Sequence, residues 1–363
     1  MHRKTWAWLP CTLLCAPAVA TAGSVTLFGL MDTGLDLSSA GGPTTARMQS
    51  GQYAGSRFGL RGTEDLGDGL QAVFVLENGL NSDTGVAGQS GRLFGRQAYV
   101  GLSGRAGALT LGRQYSPLVS VAFQMDAFEN GMAPQFPNLG LYPGGERIDN
   151  AIKYTSPSFG GLTMAAMLAL GERSAAPRAG DDSYGVNVHY ASGPMRLVAA
   201  YGVRKFASAA ALGEVVKPVV VLPNVVTNGS ITTYMAGGNY DFGPFALYGG
   251  YQRQRIADDV YFGRIDQDLY TLSVAVPVGK AGRFLAGYTF LNDHSPAQVD
   301  ASLFGFGFVY SLSRRTSVYT SAAWLNNHNG AGNVIGGNTS PGLPLAYPGA
   351  NARTIQVGLR HAF

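Results

Sequence analysis

Of the 363 residues, 51 are glycine, 11% are aromatic and 2 are cysteine, and the formal charge at pH 7 is +4. That charge is too small to imply nucleic-acid binding, and both thiols, Cys11 and Cys15, sit near the N-terminus, which leaves the body of the chain without a disulfide, a thiolate metal site or a redox pair. Glycine at about twice its usual frequency without a Gly-X-Y period excludes collagen, and the aromatics exclude a disordered linker.

Residues 1–22 read as a cleaved secretory leader, with 23–363 as one domain. Arg3 and Lys4 give a positive start, Trp6 to Val19 is a short apolar stretch, and Ala20-Thr21-Ala22 supplies a small-x-small cleavage site. Pro10 and Pro17 interrupt the stretch, which is too short for a membrane helix. Leu14 is bulky where a lipobox ahead of Cys15 wants a small residue. Beyond the leader, no run approaches the ~20 apolar residues that a helical span requires.

From residue 24 onward, apolar and polar residues alternate with a period of two. Tyr184, Val186, Val188 and Tyr190 alternate with Gly185, Asn187 and His189. Phe284, Ala286, Tyr288 and Phe290 oppose Leu285, Gly287 and Thr289, and Phe304, Phe306, Phe308 and Tyr310 oppose Gly305, Gly307, Val309 and Ser311. In the last ten residues Ile355, Val357, Leu359, His361 and Phe363 share one face. Sixteen such runs begin near residues 24, 53, 69, 93, 107, 150, 161, 183, 195, 232, 245, 267, 282, 302, 316 and 353.

The connections alternate in length. Ser192-Gly193-Pro194, Phe242-Gly243-Pro244, Pro277–Gly282 and Leu312–Thr316 are tight; Ser38–Gln52, Ser82–Arg92, Gln114–Asp149, Ala207–Ile231 and His328–Ala352 are long. Short turns at one rim and long loops at the other mark an outer-membrane barrel. A bilayer offers no water to bare backbone groups, so spanning strands must close on themselves, with an apolar face outside and a wet one inside. Tyr154, Tyr201, Tyr240, Tyr270 and Tyr310 suit the interfacial girdles. A soluble β-sandwich would require a Greek-key rhythm, and a propeller a fixed repeat; neither is present. The fold class expected is all-β: a 16-stranded antiparallel transmembrane β-barrel with short periplasmic turns, long external loops and a water-filled bore.

Several strings resemble a known family. Ser24-Val25-Thr26-Leu27-Phe28-Gly29, Ser56-Arg57-Phe58-Gly59-Leu60-Arg61-Gly62-Thr63-Glu64-Asp65-Leu66-Gly67, Phe94-Gly95-Arg96-Gln97-Ala98-Tyr99-Val100-Gly101-Leu102, Lys153-Tyr154-Thr155-Ser156-Pro157 and Arg360-His361-Ala362-Phe363 are similar to strands of Gram-negative general-diffusion porins of the Neisseria and Burkholderia type. The resemblance spans the chain from residue 24 in order. It implies a homotrimer in the bacterial outer membrane, passive and without a cofactor, whose third external loop folds inward as a constriction. That loop is Gln114–Asp149, and Pro117, Pro134, Pro137 and Pro143 keep it out of the sheet.

Strand parity nominates the residues of the bore. Phe58 and Leu60 point outward, so Arg57 and Arg61 point inward; Arg147, Lys153, Arg204 and Arg360 follow by the same rule. The family carries an arginine cluster facing its inward loop, and Arg57 and Arg147 occupy matching positions. Asp126 and Glu129, inside the loop, are expected to face those bases across a transverse field. An excess of base over acid favours mild anion preference; the plainer reading has the arginines pair with acids and only set the pore size. Arg96 is ambiguous by parity, and Arg113 sides with Leu109 and Leu111, toward a neighbouring subunit. The alternatives on the same barrel are a channel selective for one anion or nutrient class and a surface receptor or adhesin, the latter from the apolar segment Val215-Val216-Lys217-Pro218-Val219-Val220-Val221.

Catalysis finds no support: no G-x-S-x-G or H-E-x-x-H string occurs, and His189, His294, His328 and His361 are scattered. Asp258-Asp259 and Asp266/Asp268 lack calcium-loop spacing, so no metal site is expected, and these acids read as solvated charge beside the lipopolysaccharide. The terminal Phe363 is expected to be the signal that the barrel-assembly machinery reads.

Overall fold

The computed structural model describes residues 23–139, 147–171, 182–208, 226–258 and 264–363. The expected leader lies outside the described residues, as do 140–146 of the third long loop and 209–225 of the apolar loop. The strands are β1 (Ser24–Ala40), β2 (Thr45–Ser50), β3 (Arg57–Gly67), β4 (Leu70–Gly79), β5 (Gln97–Gly104), β6 (Gly107–Tyr115), β7 (Arg147–Thr155), β8 (Leu162–Ala169), β9 (Ser183–Ser192), β10 (Met195–Ser208), β11 (Val226–Asp241), β12 (Ala246–Asp258), β13 (Arg264–Val278), β14 (Gly282–Asp293), β15 (Ala301–Ser311), β16 (Thr316–Asn327) and β17 (Ala352–Ala362).

Every pairing is antiparallel between neighbours, and the sheet closes because β1 pairs with β3 along one edge and β17 along the other. Closure removes the free edge that a bilayer would not tolerate. The far half of β1, Thr33 to Ser38, pairs with β2 instead of β3. Thus β2 and β3 share one place in the wall, and the barrel is sixteen strands round. The short β2 lies inside the connection read from the sequence as the loop Ser38–Gln52, and strand two starts at Arg57, not near residue 53. The break between them, residues 51–56, turns into the bore. Two strands also run further than expected into the apolar connection, with β10 reaching Ser208 and β11 starting at Val226.

The wall is apolar outside and polar inside. On β17, Ile355 and Val357 are 55% and 54% exposed, while Gln356 between them is 2% exposed. Aromatic rings gather in two outer bands. Tyr201 packs on Tyr234 at 5.1 Å and Tyr251 on Tyr270 at 5.3 Å, and Phe242 packs on Tyr240 and Phe245 at 4.5 and 4.8 Å beside a short turn. Such bands suit rings that are apolar in body and polar at the tip.

The chain between β6 and β7 does not stay at the rim. Its short helix, Pro117–Ala122, and the residues to Leu139 are mostly buried against the inner face of the wall. Glycines make the room. A Cβ at Gly202 would lie 2.5 Å from Leu118, one at Gly237 2.7 Å from Met125, one at Gly287 2.9 Å from Phe128, and one at Gly305 2.8 Å from Pro134. Four knobs of the segment therefore seat on bare backbone of β10, β11, β14 and β15. Polar bonds add direction: Asn187 on β9 donates to the Pro117 carbonyl at 2.7 Å, and the Ala127 amide donates to Ser273 Oγ on β13 at 2.9 Å.

Candidate functional site

Alternation aims every second side chain of a strand into the bore, and the inward segment determines which of them meet. A cavity of about 550 Å³ lies between wall and segment, lined among the described residues by Arg57, Arg96, Arg196 and Arg360 with a single acid, Glu129. Its shape depends on Asp32. This fully buried carboxylate on β1 accepts from the Tyr53 and Ala54 amides at 3.2 and 2.8 Å and from the Tyr319 hydroxyl at 2.6 Å. The break 51–56 is thereby pulled inward, and Tyr53 becomes part of the cavity wall. The Gln52 carbonyl then accepts from the Met132 amide at 2.6 Å and the Asn338 amide at 3.0 Å. Three parts of the chain distant in sequence are tied at one carbonyl.

Arg57, Arg96 and Arg360 are held, not loose. Glu77 on β4 meets Arg96 at 2.8 Å and Arg57 at 3.2 Å, and accepts from Gln97 at 2.7 Å. The Tyr115 hydroxyl accepts from Arg96 at 2.6 Å and Arg147 at 3.2 Å. The Arg147 guanidinium lies 4.8 Å over the Tyr115 ring, and that of Arg360 5.1 Å over Tyr53. Stacking and hydrogen bonds from several nitrogens fix a planar guanidinium where a mobile ammonium would wander. Glu129 reaches Arg283 at 3.1 Å. It sits in left-handed backbone (φ 57°), followed by Asn130 (φ 55°) and, two further on, Met132 (φ 61°). Non-glycine residues avoid that region unless the surroundings enforce it, and such spots cluster at functional sites.

Five of the residues nominated from the sequence fall in three places. Arg57 and Glu129 line the cavity, while Arg147 and Lys153 stand behind Tyr115, the lysine donating to its backbone carbonyl at 3.2 Å. Arg61 points inward but nearer the short-turn rim, 5.4 Å over the Phe28 ring. Asp126 requires correction. It does not face the bases: it is 1% exposed and accepts from the Phe128 and Phe136 amides at 3.1 and 3.3 Å. Burial pushes its carboxyl up to about 7. It staples the segment internally, and the expected two-acid face reduces to Glu129.

Other charged and polar groups also find partners. Arg113 meets Asp149 at 2.6 Å and the Gly95 carbonyl at 2.7 Å within its own chain. Asp266 and Asp268 are buried and not simply solvated: Arg253 meets Asp266 at 2.9 Å, and His294 meets Asp268 at 2.7 Å. Asp259 lies outside the described residues. His189 contacts Ser120 Oγ at 3.1 Å. Sequence reasoning missed Asp32, Glu77, Tyr53 and Tyr115. The two acids left a signal, since each is a carboxylate within a largely apolar strand, Asp32 with Asp36 on β1 and Glu77 alone on β4. The tyrosines left none, because their inward turn is set by a strand break and by a bulge at Arg113.

Comparison with known proteins agrees with this geometry. The family described as Gram-negative porin matches residues 7–330. Outer membrane porin protein 32 of Delftia acidovorans is 32% identical, over 97% of both chains. Major outer membrane protein P.IB of Neisseria gonorrhoeae is 26% identical, over 89% of this chain and 94% of its own. Among solved structures, the anion-selective porin from Comamonas acidovorans superposes with a TM-score of 0.77 at 29% identity, covering 94% of this chain and all (100%) of that one. The trimer form of OmpT from Vibrio cholerae, 16% identical over 94% of this chain and 100% of its own, shares the fold with a TM-score of 0.71.

Proposed function

Since this chain belongs to the Gram-negative porin family and is a passive diffusion channel of the outer membrane, we propose that its cavity gives it a mild preference for small hydrophilic anions. One observation carries the reading: among the described residues, four arginines and one glutamate line the space between wall and inward segment. Basic groups in a narrow, partly dehydrated passage lower the barrier for anions and raise it for cations. Glu77 offsets part of the charge of Arg57 and Arg96, which keeps the preference mild. The similarity to the anion-selective porin of Comamonas acidovorans supports the reading.

Residues 114–149 act here as the constriction, with Arg57, Arg96, Arg360 and Glu129 at its edge, Arg147 and Lys153 supporting Tyr115, and Arg61 extending the basic lining below. The short-turn rim faces the periplasm. Three copies associate through the largely aliphatic outer face of β17, β1, β5 and β6, where Ile355, Leu35, Val100 and Leu111 are exposed. Lipopolysaccharide headgroups meet the part-exposed Arg253 and His294, which the buried Asp266 and Asp268 hold near the long-loop rim, and Phe363 is the element read during assembly.

Reversal potential in a KCl gradient across a planar bilayer tests the function. The expected sign is that of a chloride-preferring pore, reduced or reversed in Arg57→Glu. A cation-selective wild type would refute it.

A further inference from the structure

We propose that the cavity distinguishes among organic anions and favours flat aromatic carboxylates, the benzoate class, over aliphatic acids of equal charge. This rests on the anion-preferring reading above and adds recognition of the ring.

Phe123 carries the argument. It follows the short helix on the inward segment, whose other described large apolar side chains, among them Leu118, Val121, Met125, Phe128, Met132 and Phe136, are all at most 7% exposed against the wall. Phe123 alone of these large groups is half-buried and lines the cavity. Leaving a benzyl group beside water forgoes the stabilisation that its burial would bring. Tyr248 of β12 lines the same space.

The other two rings of the cavity are occupied: Tyr53 by Arg360 and Tyr115 by Arg147. Among the described residues, neither Phe123 nor Tyr248 has an aromatic or guanidinium stacking partner. Two rings without a stacking partner, Phe123 and a Tyr248 that packs on its other side against the cluster around Phe128, thus line a space with guanidinium groups fixed by Glu77 and Tyr53. A guanidinium binds a carboxylate through two parallel bonds, and an aromatic face accepts a second ring offset or edge-on. At about 550 Å³ the cavity falls in the range of small organic ligands, roughly 300–1,000 Å³.

The test compares block of the single-channel chloride current by benzoate, cyclohexanecarboxylate and acetate, all as potassium salts. Benzoate is expected to block at roughly two- to ten-fold lower concentration than cyclohexanecarboxylate, the range that one aromatic contact supplies. In Phe123→Leu with Tyr248→Leu the two acids are expected to become equal. Equal block in the wild type, or a benzoate advantage that survives the double substitution, would overturn the inference. The KCl reversal potential of the same wild-type channel separates the two readings. Cation selectivity would remove the anion reading and this inference together, whereas anion selectivity with equal block would remove only this one.

Discussion

Phe128 lies against the bare backbone of Gly287, so closely that a Cβ at position 287 would meet its ring at 2.9 Å. Phe128 has no exposed surface. The contact belongs to the row of glycines that seats the inward segment on the wall, and it makes the width of the passage a consequence of packing.

Gly287→Val should therefore push the segment off its seat. Overpacking of this kind costs about 1–3 kcal/mol, which a closed barrel of this size can absorb. The expected result is an intact barrel with altered single-channel conductance and noisier current. Conductance identical to wild type would show that Phe128 does not hold the passage.

Glu77 serves two arginines at once, and Arg96 beside it is 3% exposed. Glu77→Gln should strand buried charge at a cost of about 3–5 kcal/mol, lowering the unfolding temperature. In the surviving channels the reversal potential should move further toward that of chloride. An unmoved potential would mean that permeating ions do not sense these arginines.

Asp126 should make stability depend on pH. Burial raises its carboxyl from 3.8 in the unfolded chain to about 7 in the fold. Its contribution is complete below 3.8, where both states are protonated, and is lost as pH rises to about 7, because the unfolded chain ionises first. Asp126→Asn should flatten the fall in melting temperature between about pH 4 and 7. A wild-type melting temperature constant across that window would contradict the assignment.

Phe363 exchanges two backbone hydrogen bonds with Gly29, at 3.0 and 3.1 Å, and its ring covers that glycine on the outside of the barrel. Phe363→Ala should lower the amount of heat-modifiable barrel in the membrane several-fold, and Phe363→Tyr should restore it. Equal amounts in the alanine variant and the wild type would leave the ring without a part in closure or assembly.

Strand alternation was legible in the residues themselves. Sixteen places in the wall, their starting points within a few residues, the side each strand turns to lipid, and the inward aim of Arg57, Arg61 and Arg360 all follow from a period of two between two solvents. Tertiary structure alone decided what that pattern cannot encode. The break at residues 51–56 pulled in by Asp32, the turn of Asp126 into its own loop, the pairing of Arg57 and Arg96 through Glu77, and the meeting of Phe123 with the arginines join positions far apart in the chain. Parity assigns a side chain to the bore but not to a neighbour across it. Which groups touch there is set by how one irregular segment packs on glycine, and irregular backbone has no period to read.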